Sequence, residues 1–392
     1  MLSILTLWDF ICSKVAMKVL IAPDSFKGTF TSTQVIAYLT DGFARFFPEA
    51  EIIPVPIADG GEGTVEAILK AKKGEYKEVI TTGPLGVPVK NGFGVIGSTA
   101  IIEMASTSGI TLIKEADRDP MHAQTIGTGQ LIKHALDEGV EKIIIGVGGS
   151  ATNDGGVGMA RALGVVFYDV NDREVPNGGM GLGQIKRIDT TGLDPRLANV
   201  EVVVICDVSN PLCGNEGATY VYGPQKGATS LMLRSLEDGM DNYHRVVKDQ
   251  FGIELNCIPG SGAAGGLAGG LVAFANGVIK KGIDTMLDIV NFDRLVEDAD
   301  LVITGEGKLD GQSVYGKVPI GVASRCQGKP VIAFVGAIGD GAERVFDHGI
   351  SAIFPLVGQV TNFAEIQKHR EVMMRTGVER LMRLLKTGMA LH

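Results

Sequence analysis

Short apolar runs rich in β-branched residues recur along the chain, and most end in glycine or a polar turn. Such runs read as buried strands, and apolar positions at helical spacing between them read as helices. Val19–Ala22 and Ile52–Val55 are the first two predicted strands. Between them Val35, Leu39, Phe43 and Phe46 share one helical face, opened by Thr31 with Gln34 three residues on and closed by Pro48. That opening is a capping box. A second helix is predicted over Val65–Ala71, and Phe93–Ile96 with Ala100–Glu103 flank Gly97-Ser98 as a hairpin. Thr125–Leu136 predicts a helix that feeds a strand at Ile143–Ile145. A short helix (Val157–Leu163) and another strand (Val165–Tyr168) follow, with Gly178–Gly183 left as loop. Val202–Cys206 reads as a strand, and Leu233, Leu236, Met240, Val247 and Phe251 line one face of a long helix. Leu301–Thr304, Val331–Val335 and Ala352–Leu356 restore the strand–helix alternation, and a final helix runs to the C-terminus.

Alternating strands and helices point to an α/β fold with a parallel sheet. The expected architecture has two domains. A Rossmann/flavodoxin-like parallel-sheet domain is built from both chain ends (residues 17–80, 125–165 and 285–392). A mixed α/β domain is inserted (residues 81–124 and 166–284), and residues 1–16 form an extension. No 20–50-residue repeat is evident, which argues against a solenoid. A cleft between two such domains is a common ligand site.

Composition narrows the picture. With 392 residues, 45% hydrophobic and 21% charged, this is an ordinary globular chain with ample core. A formal charge of −9 disfavours nucleic acid and anionic membranes as partners. The five cysteines are scattered without zinc-like spacing, which suits a reducing cytosol, so a cytoplasmic location is expected. Residues 1–16 are apolar but too short to span a bilayer and lack a basic leader. The 54 glycines cluster at strand ends, where positive φ or close approach to a ligand is wanted.

The densest cluster is Gly146-Val147-Gly148-Gly149-Ser150-Ala151-Thr152-Asn153-Asp154-Gly155-Gly156, between a predicted strand and a helix. Backbone amides there suit a phosphate, and Asp154 beside them suits a divalent cation. Gly146-x-Gly148-x-x-Ala151 with Asp169 also imitates a dinucleotide fingerprint, but Thr152–Gly156 delays the helix the fingerprint requires. Gly311–Val318 nearly spells a Walker A loop, yet Val318 replaces the Mg²⁺-binding hydroxyl and no strand immediately precedes it. Aspartates just past strand ends (Asp24, Asp59, Asp207, with Asp310 a turn beyond another) can hold Mg²⁺ or accept a hydroxyl proton. Lys27, Lys226, Lys317 and Arg118 lie in loops, where cations suit phosphate or carboxylate. Gly260–Gly270 alternates glycine and alanine so densely that a packed backbone or a ligand must lie against it.

Five stretches together resemble the bacterial type I glycerate kinases: Ile21–Lys27, Ala58–Thr64, Gly148–Gly156, Gly223–Gly227 and Thr304–Gly307. The likeness runs from about Met17 to the final helix. It implies ATP-dependent phosphorylation of D-glycerate, generally at the 2-hydroxyl, with ATP and Mg²⁺, within glyoxylate, glycolate or sugar-acid breakdown. It also implies two α/β domains, one discontinuous, and leaves a homodimer open. Chemistry then suggests the roles. Asp207 is the first choice of base and Asp59 the second, with Lys27 beside them. Gly148, Gly149, Ser150, Thr152, Asn153, Lys226 and Lys317 are expected at phosphate, Asp24, Ser25 and Arg118 at glycerate, and Asp154 and Asp310 at the metal. Two rivals stand beside this reading: a nicotinamide-dependent hydroxyacid dehydrogenase, and a non-catalytic small-molecule clamp that binds without ATP turnover.

Overall fold

The computed structural model describes residues 17–26, 28–57, 65, 68, 69, 72, 74–358 and 362–390. Its strands in chain order are β1 (Lys18–Pro23), β2 (Glu51–Pro54), β3 (Glu75–Thr82), β4 (Pro88–Ile96), β5 (Thr99–Glu103), β6 (Lys142–Gly146), β7 (Val166–Tyr168), β8 (Arg187–Asp189), β9 (Glu201–Ile205), β10 (Val278–Lys280), β11 (Leu301–Gly305), β12 (Lys308–Leu309), β13 (Val331–Val335), β14 (Ala337–Ile338) and β15 (Ala352–Pro355). The principal helices are α1 (Ser32–Phe46), α2 (Ile126–Asp137), α3 (Val157–Ala162), α4 (Ser230–Phe251), α5 (Leu267–Ala275), α6 (Gly282–Val290), α7 (Val318–Ser324) and α8 (Phe363–Met389). The chain divides into two compact units, Met1–Ile57 with Met286–His392, and Ala58–Thr285.

The first unit is built from both chain ends around an all-parallel sheet in the order β15-β13-β11-β1-β2. Val19, Ile21, Ile303 and Phe334 are buried beneath α1 and α8, which contribute Val35, Leu39, Phe43, Met374 and Met382 to the same core. The capping box forms at the start of α1. Thr31 Oγ1 accepts from the Gln34 amide at 3.2 Å, and Gln34 Oε1 accepts from the Thr31 amide at 2.9 Å. The strand order reverses between β1 and β11, because the chain leaves β1 toward β2 but adds β13 and β15 on the other side. In a doubly wound sheet, a ligand crevice opens at the carboxyl ends of the strands flanking such a reversal.

The second unit holds a mixed sheet in the order β10-β9-β6-β5-β4-β3. β5, β6, β9 and β10 are parallel, while the β3–β4 and β4–β5 pairs are antiparallel, the latter across the expected hairpin. One expectation fails here. The domain of the chain ends does not include residues 58–80 or 125–165: β3 pairs with β4, and β6 with β5 and β9, all in the second unit. A parallel strand buried on both faces carries no mark of which sheet it joins. The expected loop at Gly178–Gly183 is largely a 3₁₀ helix, Gly179–Gln184. The predicted helix over Val65–Ala71 lies mostly outside the described residues.

β7 also departs from the dinucleotide-binding pattern. It pairs antiparallel with β8 in a separate small sheet, so β6, α3 and β7 make no βαβ unit. Asp169 caps its own turn instead, accepting from the Asn171 and Arg173 amides at 2.7 and 2.9 Å.

Candidate active site

The glycine-rich stretch after β6 splits into two parts with different environments. Gly148 and Gly149 form an exposed turn at the carboxyl edge of the second sheet, with Gly149 at φ +75°. The turn is stitched to its neighbour: the Ile110 amide donates to Gly149 O at 2.8 Å, and the Ala151 amide to Ser108 O at 2.9 Å. From Ser150 to Ala160 every residue is buried.

Those buried glycines serve backbone packing. The Gly155 amide donates to Gly265 O at 3.0 Å. A Cβ on Gly265 (φ +66°) would lie 2.0 Å from Thr152 O, and one on Gly270 would lie 2.5 Å from Gly155 O. Two stretches of main chain therefore touch along a seam that no larger side chain fits. The Gly260–Gly270 stretch meets a packed backbone.

Asp154 is the polar centre of this seam. Its Oδ2 accepts from the Thr125 amide and hydroxyl, both at 2.8 Å, and from the Gly158 amide at 3.2 Å, while Oδ1 accepts from the Gly156 amide at 3.2 Å. The carboxylate thereby ties the first turns of α2 and α3 together, and Thr125 Oγ1 also accepts from the Met159 amide at 2.9 Å. Burial pushes the Asp154 carboxyl above its usual range against the pull of these donors. A fully buried carboxylate engaged by four donors has no opening for Mg²⁺ and its waters, so its expected metal role gives way to a structural one.

Lys226 is likewise inside. Its Nζ donates to Thr152 O at 2.7 Å, and the residue is 1% exposed. Gly227 (φ +96°) lets the loop close on Arg118, whose backbone oxygen would stand 2.5 Å from any Cβ there. Arg118 Nη1 donates to Gln225 O at 3.2 Å. The structure thus brings Arg118, Lys226, Thr152, Asn153 and Asp154 together, with all but Arg118 buried. Thr152 Oγ1 and Asn153 Oδ1 have no hydrogen-bond partner among the described residues.

Burial brings the Lys226 ammonium down to about 7, against the pull of Asp154. In the unfolded chain lysine titrates near 10.4. Between these values the unfolded state binds more protons, so this group's contribution to stability rises with pH. Urea unfolding is expected to show the stability of the wild type relative to Lys226→Met increasing from about pH 7 to about pH 10. A difference that stays flat over that range contradicts the assignment.

Asp207 lies two residues beyond β9, exposed at the same carboxyl edge as the Gly148-Gly149 turn. The Gly282 amide at the start of α6 donates to its Oδ1 at 2.8 Å, which fixes the carboxylate.

In the first unit the carboxyl ends of β1 and β11 carry another set. Asp24 and Ser25 follow β1, and the Asp24 amide donates to Gly305 O at 2.8 Å. Glu306 follows β11, 6% exposed, and its Oε1 accepts from the Ser313 hydroxyl. Lys317 Nζ stands 3.5 Å from Glu306 Oε2 and 3.7 Å from Asp310 Oδ1. Burial pushes the Glu306 carboxyl up, partly offset by Ser313 and Lys317. At Asp310 burial acts in the same upward direction but is outweighed by the Gln312 amide, Lys317 and Lys308, leaving its carboxyl below the usual range. Lys317 and Asp310 were expected at phosphate and metal. Glu306 and Ser313 were not singled out, although a carboxylate just past a buried strand is the same signal that drew attention to Asp24 and Asp207. Lys27 and Asp59 lie outside the described residues.

The model of the Glycerate kinase family matches residues 19–386. The chain belongs to the glycerate kinase family. Membership makes it an enzyme, a kinase with ATP as co-substrate. It is 48% identical to a glycerate kinase of Halalkalibacterium halodurans over 351 residues, 88% of this chain and 92% of that one. It is 44% identical to the glycerate 2-kinase of Escherichia coli K12 over 353 residues, 89% and 93% of the two chains. The crystal structure of a candidate glycerate kinase 2 from Salmonella typhimurium LT2 is similar with a TM-score of 0.85 at 41% identity, covering 96% of this chain and all of that one. No helix among the described residues is long and apolar enough to cross a membrane.

Proposed function

We propose that this kinase phosphorylates D-glycerate at its 2-hydroxyl to give 2-phosphoglycerate, with Mg·ATP as donor, in the cytoplasmic breakdown of glyoxylate, glycolate or sugar acids. The observation that carries the regiochemistry is the match to the E. coli glycerate 2-kinase over about nine-tenths of both chains.

Phosphoryl transfer chiefly needs positioned charge and a group to receive the hydroxyl proton. In this reading Asp207 takes that proton, held in orientation by the Gly282 amide. The glycerate oxygen then attacks the γ-phosphorus, and the bond to ADP breaks. Asp59 is the alternative base, and Lys27 is a candidate cation for the transferring phosphoryl. Gly148 and Gly149, with Ser150 behind them, offer the exposed amides of the second unit's turn to phosphate oxygens, and Lys317 supplies a cation in the first unit. Arg118 is assigned to the glycerate carboxylate, and Asp24 and Ser25 to its hydroxyls. Thr152, Asn153 and Lys226 shape the turn from inside and do not themselves reach the ligand.

Mg²⁺ takes hard oxygen donors and usually keeps waters and substrate phosphates around one or two carboxylates. Asp310 fits that requirement, with a partly accessible carboxylate beside Lys317. When bound, the metal neutralises charge on the β- and γ-phosphates. Purified enzyme is expected to release ADP with D-glycerate and not with L-glycerate, glycerol or tartronate in a coupled assay. ADP release that is indifferent to D-glycerate, or a nicotinamide-linked absorbance change without ATP, would overturn this reading.

A further inference from the structure

We propose that Glu306 is a positioning residue, a buried brace that aims the Lys317 ammonium at the phosphates of ATP. The proposal rests on the reading above that Lys317 contacts those phosphates.

Glu306 is held at both backbone and side chain. Its carbonyl accepts from the Gly336 amide at 3.0 Å, and its Oε1 accepts from Ser313. The residues around it leave no slack. A Cβ on Gly305 would lie 1.9 Å from Phe334 O, and one on Gly336 would lie 2.3 Å from Gly307 O. The short β12–β14 pair then clamps the two loops just beyond. Glu306 therefore sits on rigid main chain at the carboxyl end of β11, beside the point where strand order reverses.

Lys317 is the exposed member. Its side chain is 41% exposed, against 8% for Glu306, and its Nζ also lies 3.5 Å from Ser313 Oγ. An ion pair with one partner this exposed adds little to stability. Sinking a carboxylate to meet it carries a desolvation cost that Ser313 and Lys317 only partly offset. The arrangement is poorly explained as a stabilising device. Fixing a long, rotamer-rich cation before the ligand arrives is what an anion site gains from such a brace. Asp310 at 3.7 Å forms the second arm, so Nζ is caught between two carboxylates and a hydroxyl.

The test is a double-mutant cycle read by calorimetric binding of Mg·ATP without glycerate, alongside steady-state KM values. Glu306→Gln keeps the shape and an acceptor for Ser313 but removes the charge. It is expected to weaken Mg·ATP binding about 2- to 12-fold, the equivalent of immobilising one long side chain on binding. KM for D-glycerate is expected to stay within about twofold, since no brace contact is assigned to that substrate. Lys317→Met removes the contact itself and is expected to cost about 10- to 100-fold, as for a charge-assisted hydrogen bond. The double variant should bind no more weakly than Lys317→Met alone. Ser313→Ala should shift binding in the same direction as Glu306→Gln but less, and it carries the test if Glu306→Gln does not fold.

Effects of Glu306→Gln and Lys317→Met that multiply independently, or Mg·ATP binding untouched by Glu306→Gln, overturn the brace. Unchanged Mg·ATP binding in Lys317→Met instead removes Lys317 as a phosphate contact, and the brace falls with the reading beneath it.

Discussion

Asp207→Asn is expected to lower kcat by about 10²- to 10⁴-fold, the usual contribution of a positioned general base. The physical case is local. Asp207 lies at the carboxyl edge of the second sheet, exposed, with Oδ1 held by the Gly282 amide. Asparagine keeps an oxygen for that amide but loses the negative charge and the ability to take a proton. As an exposed isosteric change it should move stability by no more than about 0.5 kcal/mol. The decisive combination is lost turnover with an unchanged melting temperature and unchanged KM values, read from ADP release and thermal unfolding. Near-normal turnover would pass the role to Asp59.

The second large effect is on the fold. Asp154→Ala strands the Thr125 amide and hydroxyl and the Gly156 and Gly158 amides in the interior. Leaving buried donors without an acceptor is costly, and a loss of about 3–5 kcal/mol is expected, the range for breaking a buried charged network. Urea denaturation measures it. A metal ligand at this position would behave differently: the variant would melt normally and require more Mg²⁺. That outcome would return Asp154 to the metal and undo the structural account of the seam.

Much of this was legible in the chain because buried parallel strands are written as unbroken apolar runs. Val19–Ala22, Leu301–Thr304 and Val331–Val335 declare a sheet shared by the two chain ends, and the sheet is there. The same runs carry no address, which is why β6 was assigned to the wrong sheet. Glycine was ambiguous for a related reason. Gly155, Gly156, Gly265 and Gly270 look like a ligand loop because close approach to any backbone, including the protein's own, demands the same missing Cβ.

Lys226 and Asp154 were misjudged as ligand-facing because sequence reports charge and spacing but not depth. A charged residue among glycines reads as a binding group until the packing around it is known. Glu306 erred the other way. Its place after a buried strand was visible in Thr304-Gly305-Glu306-Gly307, but only the β1–β11 pairing brings it to the same sheet edge as Asp24 and Ser25.

Phosphate is expected on the 2-oxygen of D-glycerate. Proton-coupled phosphorus NMR of the product formed from D-glycerate and Mg·ATP tests it most directly. Phosphate on the 2-oxygen is coupled to the single methine proton and gives a doublet, the expected result. A triplet from coupling to two methylene protons would mean transfer to the 3-oxygen and would contradict the account.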